Sequence, residues 1–447
     1  MSKFEYLKLA DAVAAEIASG ALKPGSRLPP QRTFAYERKI AVSTASRVYA
    51  ELLRRSLAVG EVGRGTFISG EPRPTVSSEP VRARIDLEIS YPVLPVQSAL
   101  IAKSLQALNR PEALETALRQ VTSGGTPTAR SIAADYLAQR SRHWAPAADQ
   151  LIFTANGRQC VAAVLAAIVP PGGRCGVEAF TYPFIKGIAA RLGITLVPLA
   201  MDENGVRPDA IQKAHRDAHL SAVYLQPVAQ NPLGMTMPPA RRNDVLRVVE
   251  KLDLLIIEDM VYGFLDDEPP LASLAPDRCV VFESLSKIVS PGLSLGMIVA
   301  PRALREPIMA SVRAGGWPAL GFAFAATQQL MRDGTVTELT RLKRIDAQQR
   351  QKVATAHLAG FQIQANSKAY HLWLTLPPHW RSQTFVAAAA RRDIALTPST
   401  TFAAASGHAP NAIRLALAAP PIEQLDAALQ TLTEILKGKE EDFESTE

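Results

Sequence analysis

The sequence predicts a multidomain chain: a small, mainly α N-terminal unit closed by a β-wing, then an α/β unit, then a smaller α+β C-terminal part. Three observations carry this. At 447 residues the chain is longer than one domain usually is. Residues 1–70 hold eleven basic side chains against six acidic ones, so most of the formal net charge of +7 falls in that short block. From about Leu87 onward, short apolar runs alternate with alanine-rich helical stretches.

In the first block, Leu7, Leu9, Val13 and Ile17 have helical spacing, and "SGALKPGSRLPP" ends that helix with Gly and Pro. A second helix is expected over about Gln31–Lys39, just after Pro29-Pro30, and a third over "VSTASRVYAELLRRS". "AVGEVGRGTFIS" alternates apolar and polar residues around a Gly-Arg-Gly tip, the pattern of a short hairpin. Three helices and a basic wing suggest a winged helix-turn-helix, with Ser43, Thr44 and Arg47 offered to a major groove and Arg64 to backbone or minor groove. A small helical domain with solvated charges is the plainer alternative. Residues 71–86, rich in proline and without periodicity, read as a linker.

"LIFTANG", "GRCGVEA", "AVYLQPV", "LLIIEDM" and "CVVFESL" are near-continuous apolar runs that end in polar or glycine-containing residues. They read as strands of a sheet covered on both faces, with chemistry at the strand ends. This unit is expected over 87–436, its large part about 120–310 and its small part about 339–436, where "YHLWLTLP" and "AIRLALA" read as strands. Residues 437–447 form an acidic tail. No apolar run reaches the roughly 18 residues of a membrane span, and no signal-peptide core opens the chain. Cys160, Cys175 and Cys279 have neither metal-ligand nor disulfide spacing; the expectation is buried thiols, no metal, and a cytoplasmic protein.

"ESLSKIVSPGLSLG" sets a lone lysine, Lys287, among serines and aliphatics after an apolar strand. Desolvation disfavours the ammonium form and makes such an amine a nucleophile able to form a Schiff base. Most lysines in such runs are surface residues, so the companions matter. Asp259 ends a buried strand twenty-eight residues earlier, with Tyr262 just beyond; Asn231 ends another strand twenty-eight residues before that. A pyridine cofactor needs a carboxylate for its ring nitrogen and amide and phenol donors for its ring oxygen. "FTANGRQC" adds a helix start suited to a phosphate, and "FTYPF" offers Tyr182 as a stacking surface.

The N-terminal segment resembles the GntR-family winged helix through "GSRLPPQRTFAYERK", "STASRVYAEL" and "GEVGRGTFI". The resemblance implies that Arg32, Ser43, Thr44, Arg47, Arg64 and Gly65 contact DNA. From about Ser90 to Leu436 the chain resembles fold-type I pyridoxal phosphate enzymes of the aspartate aminotransferase family. That implies a PLP-dependent transferase fold with Lys287 as the Schiff-base lysine, Asp259 on the pyridine nitrogen, Asn231 and Tyr262 on the ring oxygen and Tyr182 stacked on the ring. Gly157, Arg158, Gln159, Ser284 and Ser286 would form the phosphate cup, and Arg414 of "NAIRLALA" would clamp an effector carboxylate.

The two parts together resemble the MocR subfamily of GntR regulators. The resemblance implies a homodimeric regulator, head-to-tail, that binds a double-stranded DNA operator and is nucleoid-associated when bound. It would sense a small amino compound, or pyridoxal phosphate itself. An active aminotransferase carrying a DNA-binding domain, and a regulator whose cofactor site has decayed, are the rival readings. Two departures bear on them. The family reads "SK-x-x-x-PGLRLG", with arginine where this chain has Ser294, and Arg158 is the candidate to replace that charge. The tyrosine that commonly reaches across the dimer has no counterpart in "RQVTSGGTPTAR".

Overall fold

The structure is a computed structural model, and it describes residues 5–23, 25–55, 57–61, 65–68, 85–141, 143–405 and 409–438. Arg64, most of the expected linker and most of the acidic tail lie outside the described residues. Two compact units divide the chain, one N-terminal and one carrying the rest.

The N-terminal unit packs helices α1 (Glu5–Ala18), α2 (Gln31–Glu37) and α3 (Val42–Arg54) beside an antiparallel hairpin, β1 (Ala58–Glu61) and β2 (Gly65–Ile68). Gly20, with φ of 79°, follows the end of α1 in a conformation that costs glycine little. Helix α2 ends two residues earlier than its sequence pattern suggests, because Lys39 turns the chain with φ of 52°. On α3, Ala45, Val48, Tyr49 and Leu52 recur at helical spacing and are buried against Val13, Leu28 and Phe34. Phe34 and Tyr49 meet edge-on at 5.3 Å, and the Tyr49 hydroxyl donates to Pro29 O, which fixes the entry to α2 against α3. That packing leaves Ser43 and Arg47 on the exposed side of α3.

The second unit is built on a seven-stranded sheet. Its strands are β3 (Leu151–Thr154), β4 (Arg174–Glu178), β5 (Thr195–Leu199), β6 (Ala222–Leu225), β7 (Leu255–Asp259), β8 (Cys279–Ser284) and β9 (Gly296–Val299). They lie in the order β3-β9-β8-β7-β6-β4-β5. All run parallel except β9, which is antiparallel to both neighbours. Strands β6, β8 and β9 are buried throughout, as expected of a sheet covered on both faces. Strand β5 has no counterpart among the runs read from sequence. It holds Pro198, which a central strand would not tolerate, and it lies at the sheet edge.

Because β9 is reversed, its first residue, Gly296, pairs with the last residues of β3 and β8, Thr154 and Ser284. A Cβ at Gly296 would fall 2.1 Å from Thr154 Oγ1 and 2.7 Å from Asn156 O, so only glycine lets the strand ends close here. The C-terminal part carries its own four-stranded sheet, including His371–Thr375 and Ala412–Ala416, over a core with Leu372, Trp380, Phe385 and Leu415. The expected linker ends sooner than its composition suggests. Ile85–Asp86 already form a strand, paired in parallel with Ile394–Ala395. All three cysteines are buried and free. Among the described residues no helix is long and apolar enough to cross a membrane.

Candidate functional site

The carboxyl ends of β3, β6, β7 and β8 bring the expected cofactor residues to one rim. Lys287 follows β8 by three residues. Its Nζ donates to Ser90 O at 2.7 Å and lies 3.5 Å from the centre of the Tyr91 ring and 5.7 Å from that of Tyr262. Burial pulls the amine down to about 7, Arg414 and Arg158 add to the shift, and Asp259 opposes it. The shift favours the uncharged form of the Lys287 amine, the form that acts as a nucleophile.

Asp259 ends β7 in a fully enclosed position. It accepts from the Tyr224 hydroxyl, from Gln226 Nε2 at 2.9 Å and from Val261 N at 3.0 Å. Burial raises its pKa against those donors, so a cation at its side would favour the carboxylate. Gln226 is itself held: its N–H donates to Glu178 at 3.1 Å and its Oε1 accepts from Asn231 N at 3.3 Å. Arg414 Nη1 reaches Asn231 Oδ1 at 2.9 Å, Nη2 donates to Glu88 O, and Nε is buried without a hydrogen-bond partner. The guanidinium stands over Phe402, 4.8 Å from its centre. Tyr262 is buried with its ring 5.3 Å from that of His371. Burial pushes His371 down to about 3, and its Nε2 meets Gln230 O at 2.9 Å, so the ring is neutral and donates.

Helix α4 (Gly157–Ile168) begins just after β3, capped by Asn156 Oδ1, which accepts from Gln159 N at 3.2 Å. Gly157 N donates to Ser284 Oγ at 3.2 Å, and Ser286 and Ser294 lie 2.8 Å apart beside it. A Cβ on Gly157 would come within 3.1 Å of Ser284 Cβ, so the helix start sits as close to this hydroxyl cluster as glycine allows. Ser294 joins the cluster as a third hydroxyl, 3.3 Å from Ser284 Oγ. Arg158 behaves otherwise. It is exposed, its Nε donates to the Tyr182 hydroxyl at 3.1 Å, and its guanidinium lies 3.6 Å from the centre of the Phe184 ring. Gln159 turns back to accept from Ala155 N at 3.0 Å.

Sequence reasoning missed several participants. Tyr224 and Gln226, the partners of Asp259, stood in "AVYLQPV" as polar atoms inside an apolar run, which was the signal available. Tyr91, against Lys287, lies in "ISYPVLP", which has no periodicity to mark it. Lys343 is fully buried on the helix Thr335–His357, and donates to Pro92 O at 2.8 Å and Lys287 O at 2.9 Å. In the N-terminal unit, Arg32, Ser43 and Arg47 are exposed and Thr44 is half-buried. Gly65 opens β2 with φ of 117°, and a Cβ there would fall 2.7 Å from Arg27 Nε.

Residues 85–432 match the family described as aminotransferase class I and II, and residues 5–68 match the gntR family of bacterial regulatory proteins. The HTH-type transcriptional regulator YdeF of Bacillus subtilis, itself uncharacterized, is 28% identical over 96% of this chain and 94% of its own. The HTH-type pyridoxine biosynthesis transcriptional regulator PdxR of Corynebacterium glutamicum is 26% identical over 66% of this chain and 65% of its own. Among solved structures, an archaeal alanine:glyoxylate aminotransferase superposes with a TM-score of 0.72 at 21% identity, over 79% of this chain and 90% of that one. LysN, an α-aminoadipate aminotransferase of Thermus thermophilus, gives 0.71 at 21% identity, over 79% and 92%.

Pyridoxal phosphate, the group this fold family implies, fits the residues present. An amine with depressed basicity, an enclosed carboxylate and a hydroxyl-lined helix start sit on one rim, and Arg414 Nε is left without a hydrogen-bond partner. The chain belongs to the class I and II aminotransferase family, with a GntR winged helix fused ahead of that domain.

Proposed function

We propose that this protein is a transcription regulator that carries pyridoxal phosphate at Lys287 and senses a small amino compound, or the cofactor itself. The observation that carries the reading is the coexistence, in one chain, of an exposed recognition helix and a complete lysine–aspartate–asparagine–tyrosine set at the strand ends. Bound there, the cofactor supplies an aldehyde that captures amines. Lys287 would hold that aldehyde, Asp259 the ring nitrogen, and Asn231 and Tyr262 the ring oxygen. Tyr182 would cover the ring. Arg414, with Nε unused, would receive an effector carboxylate by a two-point contact. The regulator names of YdeF and PdxR support this reading over that of a working aminotransferase.

Operator DNA would be held by Arg32, Ser43, Thr44, Arg47, Arg64 and Gly65, which makes a cytoplasmic, nucleoid-associated location part of the proposal. The domain limits read from sequence, with winged unit 1–70 and cofactor unit 87–436, belong to it as well. A homodimer is also proposed. Leu114, Leu118, Leu320 and Phe322 are exposed, and the backbone at Gly321 approaches Ala117 O and Arg119 O, which makes this region the candidate for the contact.

The three linked hydroxyls and the start of α4 would hold the phosphate, with Arg158 orienting Tyr182 rather than supplying the charge. Ser294→Arg should then tighten pyridoxal phosphate about ten- to a hundredfold, since a charge-assisted hydrogen bond contributes about 1.5–3 kcal/mol and about 1.4 kcal/mol is tenfold. Arg158→Ala should weaken it by less than about tenfold on the same scale. Fluorescence or absorbance titration with pyridoxal phosphate and with unphosphorylated pyridoxal reads both. A large loss in Arg158→Ala, confined to the phosphorylated form, would return the phosphate to Arg158.

Loaded with pyridoxal phosphate, the protein should be yellow and Lys287→Ala should lack the band. A protein that stays colourless after the cofactor is added would end the cofactor reading. On the DNA side, Arg47→Ala should lower operator affinity about tenfold or more and reduce its salt dependence, while the visible spectrum stays that of the parent. Loss of both in a folded variant would contradict two separate sites.

A further inference from the structure

The chain enters its second unit through a short strap that crosses the site. Ile85 N and Leu87 N donate to Asp393 O and Ala395 O, and Leu87 O accepts from Ala416 N, which anchors the strap's start to the C-terminal part. Beyond Leu87 the fixing changes in kind. Glu88 O accepts from Arg414, Ser90 O from Lys287 and Pro92 O from Lys343. Glu88 N and Ile89 N are tied locally to Asp86 Oδ1, whereas the carbonyls of Glu88, Ser90 and Pro92 all meet a cationic side chain. Tyr91 lies between them with its ring face on Lys287 Nζ. At the far end, Gln97 Nε2 donates to Val289 O at 2.6 Å.

Two of these three donors are the groups a ligand would take. Capture of the Lys287 amine by an aldehyde forms a C=N bond and releases water, which carries off both N–H protons of the neutral amine. Ser90 O then loses its donor. A carboxylate on Arg414 competes for the Nη2 that holds Glu88 O. Lys343 touches neither ligand, so Pro92 stays fixed while the strap from Glu88 to Tyr91 is freed.

From this geometry we infer that Glu88–Tyr91 is a ligand-released strap, held by Lys287 and Arg414 and let go when a ligand takes those side chains. It rests on the reading of Lys287 and Arg414 as the cofactor and effector groups. Through residues 69–84 the strap is continuous in sequence with the winged helix, so a released strap alters the constraint at that end of the connecting chain.

Hydrogen exchange on the full-length protein tests it, followed in peptides covering 86–96 and, for comparison, 284–296. Loading with pyridoxal phosphate should slow exchange in 284–296 yet speed it at Ser90 and Tyr91 by about tenfold or more, while Ile89, whose N–H donates to Asp86 Oδ1, stays as it was. Lys287→Ala, and Lys287→Met if the smaller side chain impairs folding, should show the fast strap without any cofactor. Equal strap exchange in these variants and the parent would overturn the inference whether or not pyridoxal phosphate binds. A strap that stays slow while the visible band reports full loading would overturn it and leave the cofactor reading standing. A parent that never becomes yellow, with a strap that is fast in the Lys287 variants, would keep the strap's tie to Lys287 and remove the cofactor as the agent that releases it.

Discussion

The burial of one amine organises this site. Lys287 sits where solvent cannot support its charge, so its Nζ is taken up by a carbonyl, a ring face and the field of Asp259. Those partners come from distant parts of the chain: Ser90 and Tyr91 from the strap, Asp259 from the end of β7. The strand order brings these distant pieces together. Reversal of β9 places Gly296 between Thr154 and Ser284, and the resulting close approach sets the start of α4 against the hydroxyls of the cup.

Around the amine, polar groups are held in layers. Glu178 is buried, and burial pushes it up to about 8 against the N–H groups of Gln230 and Gln226. Its Oε2 accepts from Gln226 and Gln230, and Gln226 in turn donates to Asp259. Asn231 follows from the same turn and bridges to Arg414. The groups proposed to meet the ring and the effector therefore share partners, and a displacement at one is felt at the other. The departure at Ser294 fits within this scheme. A hydroxyl there closes a ring of hydrogen bonds with Ser284 and Ser286.

Much of this could be read in the sequence because strongly periodic or strongly apolar segments are governed by local chemistry. The runs at Ala222, Leu255 and Cys279 became central strands, that at Leu151 became an edge strand, and α3 formed where its Ala45–Val48–Leu52 stripe required. The places of Lys287, Asp259, Asn231 and Tyr262 could be read because each lies at or beyond the polar end of such a strand. What was not legible depends on tertiary partners. Strand β5 was hidden by Pro198, which only an edge position allows. Ile85–Asp86 pair with residues more than three hundred positions away, and nothing local marks them. Arg158 is the candidate replacement charge because its place in the chain is near the cup; that its guanidinium lies over Phe184 could not be read from its neighbours in sequence. Burial of Lys343 reflects acceptors on Pro92 and Lys287 that its own helix does not reveal.

The central claim is that one chain couples occupancy of the Lys287 site to DNA binding by its winged helix. The direct measurement is a single titration with pyridoxal phosphate in which visible absorbance and DNA affinity are followed on the same sample. The DNA would be a fragment selected by the protein from random sequences. The account predicts that both signals move over the same concentration range, and that in Lys287→Ala DNA affinity no longer responds. DNA affinity that stays constant across full loading, with any amino compound added on top also without effect, would contradict it.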